Sequence, residues 1–182
     1  VVLDEADEML DMGFIDDVKE IFSHLPKSRQ TLFFSATFPP SIARLAKKEQ
    51  VDPVHINLIS KKEQPHENIE QRIYVISERE RDHALIRLIE TESISKALIF
   101  CRTKKETTDL CSRLLLSNIH ACALNGDLGQ SERTRIINDF KTGRMKLLIA
   151  TDVASRGIDV KNLTHVFNYR IPENKDRYTH RI

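Results

Sequence analysis

The chain has 182 residues, 40% apolar and 30% charged, with 28 basic against 27 acidic side chains and a net charge of +1. This composition fits a soluble globular protein of one large domain or parts of two. Nothing in it demands disorder, and no apolar run approaches the roughly 20 residues of a membrane span. A field this weak does not attract a polyanion from a distance, so such a partner has to be met by a local patch.

The first element is an apolar run, Val1-Val2-Leu3, that reads as a strand and ends in Asp4, Glu5 and Asp7. Carboxylates at a strand tip suit hydrated Mg²⁺ and the polarisation of a water, because that ion prefers oxygen ligands and keeps most of its waters. Ile15, Val18, Ile21, Phe22 and Leu25 then fall on one helical stripe. Thr31-Leu32-Phe33-Phe34 reads as a second strand, ending in Ser35-Ala36-Thr37, and Pro39-Pro40 suits the first turn of a helix. A third strand is expected near Val54 to Ile56. Residues 58–68 are polar, proline-bearing and aperiodic, and read as an interdomain linker.

Beyond the linker there are about five strand candidates. Ala97 to Cys101 runs into Arg102-Thr103, and Thr103 with Glu106 forms a capping box opening a helix that carries Leu110, Leu114 and Leu115. Ala121 to Leu124 runs into Asn125-Gly126-Asp127, ahead of a helix bearing Ile136, Ile137 and Phe140 and stopped by Gly143. Leu147 to Ala150 gives way to Thr151-Asp152, and Val166-Phe167 to Asn168, with a last helix beginning near Asn174.

This alternation predicts an α/β fold built on parallel sheets: residues 1–57 as the C-terminal part of one domain and 69–182 as most of a second. Ligands of such sheets bind outside the carboxyl ends of the strands, so the polar tips mark the functional edge. The three cysteines, Cys101, Cys111 and Cys122, form no C-x-x-C pair, and the seven histidines show no metal-site spacing. A reducing cytoplasm is the expected location. None of the five glycines belongs to a phosphate-binding G-x-x-x-x-G-K-[ST] loop, so the chain reads as an internal slice of a larger nucleotide-driven motor.

Five of these tracts, in this order, resemble the motifs of the DEAD-box family of ATP-dependent RNA helicases. Asp4-Glu5-Ala6-Asp7 is similar to motif II, Ser35-Ala36-Thr37 to motif III, and Ala97 to Lys104 to motif IV. Gly126-Asp127 with Gln130 and Arg133 resembles the Q-x-x-R element, and Ala150 to Asp159 resembles motif V. Tyr178-Thr179-His180-Arg181-Ile182 resembles the opening of motif VI, whose arginine fingers would follow Ile182; the phosphate-binding loop would precede Val1.

The resemblance implies two RecA-like domains that ATP and single-stranded RNA together draw closed. It implies that Asp4 holds Mg²⁺ through water, that Glu5 orients and deprotonates the attacking water, and that Asp7, grouped with these catalytic carboxylates, is bonded by Ser35 and Thr37 to report nucleotide state. It places Asp159 on the ATP ribose and assigns Arg156, His180 and Arg181 to interdomain coupling. Thr103, Gln130, Arg133, Thr151 and the backbone N–H of Gly157 become contacts to the RNA backbone, independent of sequence. The same residues have simpler readings: Thr103 as a helix cap, Asp127 with Gln130 as a capping pair, and the carboxylates as caps of the following helix. Two other functions stay open, a non-enzymatic RNA-binding module and a DNA translocase of related build. No membrane association is expected.

Overall fold

A computed structural model of the chain describes residues 1–58, 69–155, 158, 160–173 and 175–182. The described residues fall into two compact units, Val1–Glu63 and Gln64–Ile182. Most of the tract read as a linker, residues 59–68, lies outside the described residues.

Unit 1 pairs two short parallel strands, β1 (Val2–Leu3) and β2 (Leu32–Phe33), in the register Val2 with Leu32 and Leu3 with Phe33. Helices α1 (Ala6–Asp11), α2 (Ile15–Ser23) and α3 (Pro40–Glu49) complete it. The stripe predicted for α2 turns inward at Val18 and Phe22, which pack with Leu45 of α3 and with Leu3 and Phe33 of the strands. Phe22 stacks on Phe33 with ring centroids 6.0 Å apart. Arg29 covers the outer side of Phe22 and closes on Glu49 at 2.7 Å, tying the α2–β2 connection to the end of α3. Pro40 stands at the start of α3, where its missing N–H costs nothing. The strand expected at Val54 to Ile56 is not formed. Val54 is 86% and Ile56 78% exposed, and apolar residues without a paired neighbour gain nothing from a strand.

Unit 2 is a four-stranded parallel sheet in the order β4-β5-β3-β6: β3 (Ala97–Phe100), β4 (Cys122–Leu124), β5 (Leu147–Ala150) and β6 (His165–Asn168). The central strands β3 and β5 are buried at every position, which is why they read as unbroken apolar runs instead of alternating ones. Alternate side chains serve opposite faces. Leu98, Phe100, Leu148 and Ala150 pack with Ile136 and Phe140 of α6 (Gln130–Lys141). Ile99, Cys101 and Ile149 pack with Leu110 and Leu114 of α5 (Lys104–Leu116) and with Leu85 of α4 (Arg81–Thr91). A one-turn helix α7 (Asp152–Ser155) follows β5, and α8 (Lys175–Arg181) follows β6. Because all four strands run the same way, the tips after β3, β4, β5 and β6 lie along a single edge of this sheet.

Gly143 ends α6 at φ +80°, a left-handed turn that glycine adopts without penalty. Among the described residues, no helix is long and apolar enough to cross a membrane.

Candidate functional site

At the end of β1 the chain turns abruptly. Glu5 takes φ 49° and ψ 47°, a left-handed conformation that costs a residue with a Cβ roughly 1–2 kcal/mol and is usually kept where it serves a site. The turn lets α1 start at once, held by the Ala6 N–H donating to the carbonyl of Phe34 at 3.1 Å. It also leaves Asp4 and Glu5 exposed at the strand tip. Glu5 occupies the N-cap position but makes no side-chain capping bond, and Asp4 Oδ1 accepts only the adjacent Glu5 N–H, at 2.9 Å, among its described hydrogen bonds. Helix capping therefore does not account for either carboxylate.

Asp7 is different. It is buried, and its Oδ2 accepts both the Thr37 hydroxyl and the Thr37 N–H at 2.7 Å, while its own N–H donates to Ser35 Oγ at 3.1 Å. The Ser35 hydroxyl in turn donates to the Thr37 carbonyl. Burial pushes the Asp7 carboxyl up, but the bonds from Thr37 and Ser35 outweigh it and hold the group below its ordinary value. The tip of β1 and the tract after β2 are thus fastened to each other through one carboxylate. That fastening is present in full above the unfolded-state pKa of about 3.9 and is lost as pH falls through the lower folded-state value. Thr37→Val is expected to destabilise the protein by about 1.5–3 kcal/mol at pH 7. The gap from the unaltered protein should narrow between pH 5 and pH 3, as read from urea midpoints; a gap independent of pH would remove the ionised Asp7 as its source.

In unit 2 the tips carry the predicted side chains. Thr103 caps α5, its hydroxyl accepting the Glu106 N–H at 3.1 Å, but the Glu106 carboxylate reaches the N–H of Arg102, at 2.8 Å, instead of returning to Thr103. Gln130 is exposed at the first position of α6, whose N-cap is Gly129. The capping pair Asp127–Gln130 is therefore not formed; Asp127 instead holds Lys104 Nζ at 2.6 Å. Arg133 is half-buried and its Nη2 donates to the Ala154 carbonyl at 2.8 Å, which joins α6 to α7. Thr151 immediately precedes α7, its carbonyl accepting from Ala154 and Ser155, both at 3.0 Å. Arg156, Gly157 and Asp159 lie outside the described residues.

Arg181, expected at an interdomain contact, is buried within its own unit. Its Nε and Nη2 engage Asp152 at 2.6 and 2.9 Å, its Nη1 donates to Asn168 Oδ1 and to the Arg170 carbonyl at 2.8 and 2.7 Å, and its plane lies over Phe100. His180 is exposed on the same helix. Cys101, next to these groups, is no nucleophile: burial first, and then the charge of Glu106, push its thiol up to about 12.

Two family descriptions divide the chain between them. Residues 1–45 match the DEAD/DEAH box helicase family, and residues 80–182 match the helicase conserved C-terminal domain. The chain belongs to the DEAD-box family of ATP-dependent RNA helicases. The DEAD-box protein RhpA of Helicobacter pylori strain B128 is 48% identical over all 182 residues, which span 37% of RhpA. CshA of Bacillus subtilis strain 168 is 42% identical over the whole chain, again 37% of the relative's length. Among solved structures, S. cerevisiae Dbp5 bound to RNA and ADP·BeF3 matches with a TM-score of 0.86 at 34% identity, over 99% of this chain and 48% of that one. A DEAD box protein of Methanococcus jannaschii matches with a TM-score of 0.61 at 45% identity, over 100% and 48%.

Two parts of the arrangement in this DEAD-box chain were not foreseen from its sequence. One is the Asp152–Arg181 pair. The other is Asn125, 5% exposed, whose amide reaches the first turn of α5. A lone Asn between a strand and a glycine is the ordinary signature of a turn, so only its burial distinguishes it.

The donor chemistry at the β1 tip fits Mg²⁺. Two exposed carboxylates are hard oxygen donors, and Mg²⁺ characteristically takes one or two carboxylates, several waters and substrate phosphates. No group of three or more potential metal ligands occurs among the described residues, so a site made wholly of protein ligands is not offered there.

Proposed function

We propose that this chain works within an ATP-dependent RNA helicase, in which ATP binding and hydrolysis drive the separation or remodelling of RNA strands. The observation that carries the reading is the β1 tip: two carboxylates free of any capping role, presented by a left-handed turn, beside a third that is locked to the Ser35–Thr37 tract. In this reading Asp4 holds Mg²⁺ through water and Glu5 accepts the proton of the attacking water. Mg²⁺ would neutralise charge on the phosphates. Asp7 does not touch the reacting atoms; it fixes the β1 tip against Ser35 and Thr37. Asp159 contributes to ATP binding, and Arg156 with His180 to coupling, by family likeness. Arg181 acts inside its own unit, through Asp152.

The RNA backbone is held by Thr103, Gln130, Arg133, Thr151 and the N–H of Gly157. Hydroxyl, amide, guanidinium and glycine are groups that grip phosphate and sugar without reading bases. Arg133 uses one nitrogen on Ala154, which leaves the rest of its fork for a phosphate. In the full-length protein, Arg133→Ala is expected to weaken single-stranded RNA binding by a similar factor for every sequence. It should also reduce the slope of log K against log salt by about 0.7, the loss of one phosphate contact. An unchanged slope would exclude that contact. Stimulation of ATP turnover by RNA but not by DNA of the same sequence would separate this function from DNA translocation.

A further inference from the structure

The β4–α6 loop carries no regular structure, yet it delivers Gln130 and, one turn later, Arg133. Leu128 packs the loop's apolar side against the core, and the loop's side-chain hydrogen bonds to the rest of the unit run to α5. Asn125 Nδ2 donates to Thr107 Oγ1 at 3.0 Å and stands 3.5 Å from the Lys104 carbonyl, so the amide sits in the first turn of α5. Asn125 Oδ1 accepts the Asp127 N–H at 3.0 Å, which folds the loop back on itself. Thr107 is fully buried, and its own hydroxyl donates to the Lys104 carbonyl at 2.6 Å, so it can only accept from Asn125. A carbonyl and a backbone N–H leave no ambiguity about which end of the amide faces which partner. A carboxylate or an alkyl group at this position cannot serve both.

A second, weaker clasp lies outside the first. Lys104 crosses Gly126, where an added Cβ would stand 3.2 Å from its Cε, and ends on Asp127. This pair is largely solvent-exposed and therefore worth little by itself. Gly129 has no side chain with which to cap α6, so beside these two clasps the beginning of the helix is held by Leu128, half-buried against the core, and by Arg133 on the Ala154 carbonyl.

We propose that Asn125 is a positioning residue for RNA binding: it welds the loop leading to Gln130 and Arg133 onto the helix capped by Thr103, making one rigid surface for a sugar–phosphate backbone. This rests on the RNA reading of Thr103, Gln130 and Arg133. Without the weld, each group still exists, but the backbone must pay to order two loose elements, and affinity falls.

The test is binding of a fluorescently labelled single-stranded oligouridine to the full-length protein, with melting temperature followed in parallel. Asn125→Ala should weaken binding roughly tenfold, the scale of one unsatisfied buried polar group. Thr107→Ser, which keeps the accepting hydroxyl, should bind as the unaltered protein does, whereas Thr107→Val should weaken binding. The double variant Asn125→Ala/Thr107→Val should be no weaker than Asn125→Ala alone. Phe140→Leu, in the buried part of α6, lowers the melting temperature without touching the weld and should keep full affinity. If Asn125→Ala does not fold, the Thr107 pair decides alone. Full affinity in folded Asn125→Ala, or in Thr107→Val, overturns the inference, provided Gln130→Ala binds weakly. Full affinity in Gln130→Ala overturns the RNA reading of the loop itself, and the inference with it.

Discussion

Glu5→Gln in the full-length protein is expected to bind ATP normally and to lose RNA-stimulated hydrolysis by roughly 10²–10⁴-fold, the usual worth of a positioned general base. The substitution keeps size and shape but removes the ability to take a proton. It should also be nearly silent in stability. The side chain is exposed and makes no capping bond, so its loss belongs with surface changes of about 0.5 kcal/mol or less. The backbone turn at this residue is unaffected, since Gln meets the same steric conditions as Glu. The combination is diagnostic: intact nucleotide binding, unchanged melting, collapsed turnover. Single-turnover hydrolysis with saturating RNA, beside fluorescent-nucleotide titration, reads it directly. Near-normal turnover would remove Glu5 as the base. Asp7→Asn gives the contrast, since its carboxylate is buried under Thr37 and its replacement should show first as lost stability.

The sequence was legible wherever a single short stretch carried the whole cause. The apolar runs of β3 and β5 are continuous because both faces of the sheet are covered, and their polar ends follow from the chain leaving the core. Helices α2, α5 and α6 show the inner part of their stripes directly, at Val18 and Phe22, Leu110 and Leu114, and Ile136 and Phe140, whereas Ile21 and Leu115, read on the same stripes, are exposed at the margin; Gly143 marks its stop by a conformation that only local sterics decide. Helix α4 was missed because Ala84, Leu85 and Ile86 are consecutive and charged residues crowd its start, which blurs the helical period. Helix α1 enters the sequence reading only as the alternative in which the carboxylates cap a following helix. It has six residues and begins inside Asp4-Glu5-Ala6-Asp7, so its residues were read as chemistry before they were read as structure.

At the site, the residues were legible and their partners were not. Thr103 caps α5 as its spacing with Glu106 demands, yet Glu106 turns to the Arg102 N–H and its other oxygen takes Arg170 Nε at 2.7 Å. Arg170 comes from the end of β6, a strand adjacent to β3 only in three dimensions. Asp127 has capping spacing with Gln130, but a lysine 23 residues earlier claims it. Such choices depend on which strand tips the sheet order brings together, and the order β4-β5-β3-β6 is a property of the packed fold. Val54 to Ile56 fails as a strand on the same principle: strand propensity has no effect without an edge to pair with.

Arg181→Met is expected to destabilise the protein by about 1.5–3 kcal/mol, the cost of losing charge-assisted hydrogen bonds and leaving Asp152, whose side chain is 26% exposed, without its cation. Arg181 has a side chain only 4% exposed, and the lost guanidinium satisfies both oxygens of Asp152, the Asn168 side chain and the Arg170 carbonyl. Methionine fills much of the volume over Phe100 but supplies no donor. The double variant Arg181→Met/Asp152→Leu should recover part of the loss, because no half-buried carboxylate is then left without its partner. Urea unfolding of the four proteins of this cycle measures it; a cost for Arg181→Met alone below about 0.5 kcal/mol would mean that the pair anchors nothing. The consequence reaches Arg133, one of the groups proposed to bind RNA, through α7. Asp152 begins that single turn and Ala154, whose carbonyl holds Arg133, lies two residues on. A turn of four residues has too few internal bonds to keep its own shape, so it depends on Arg181 at one end and Arg133 at the other. Arg181→Met should therefore weaken RNA binding as well, with Arg133 still present, and the double variant, which restores packing but not the Asp152 contact, should not regain it. Recovery of stability without recovery of affinity would separate the two roles of this arginine.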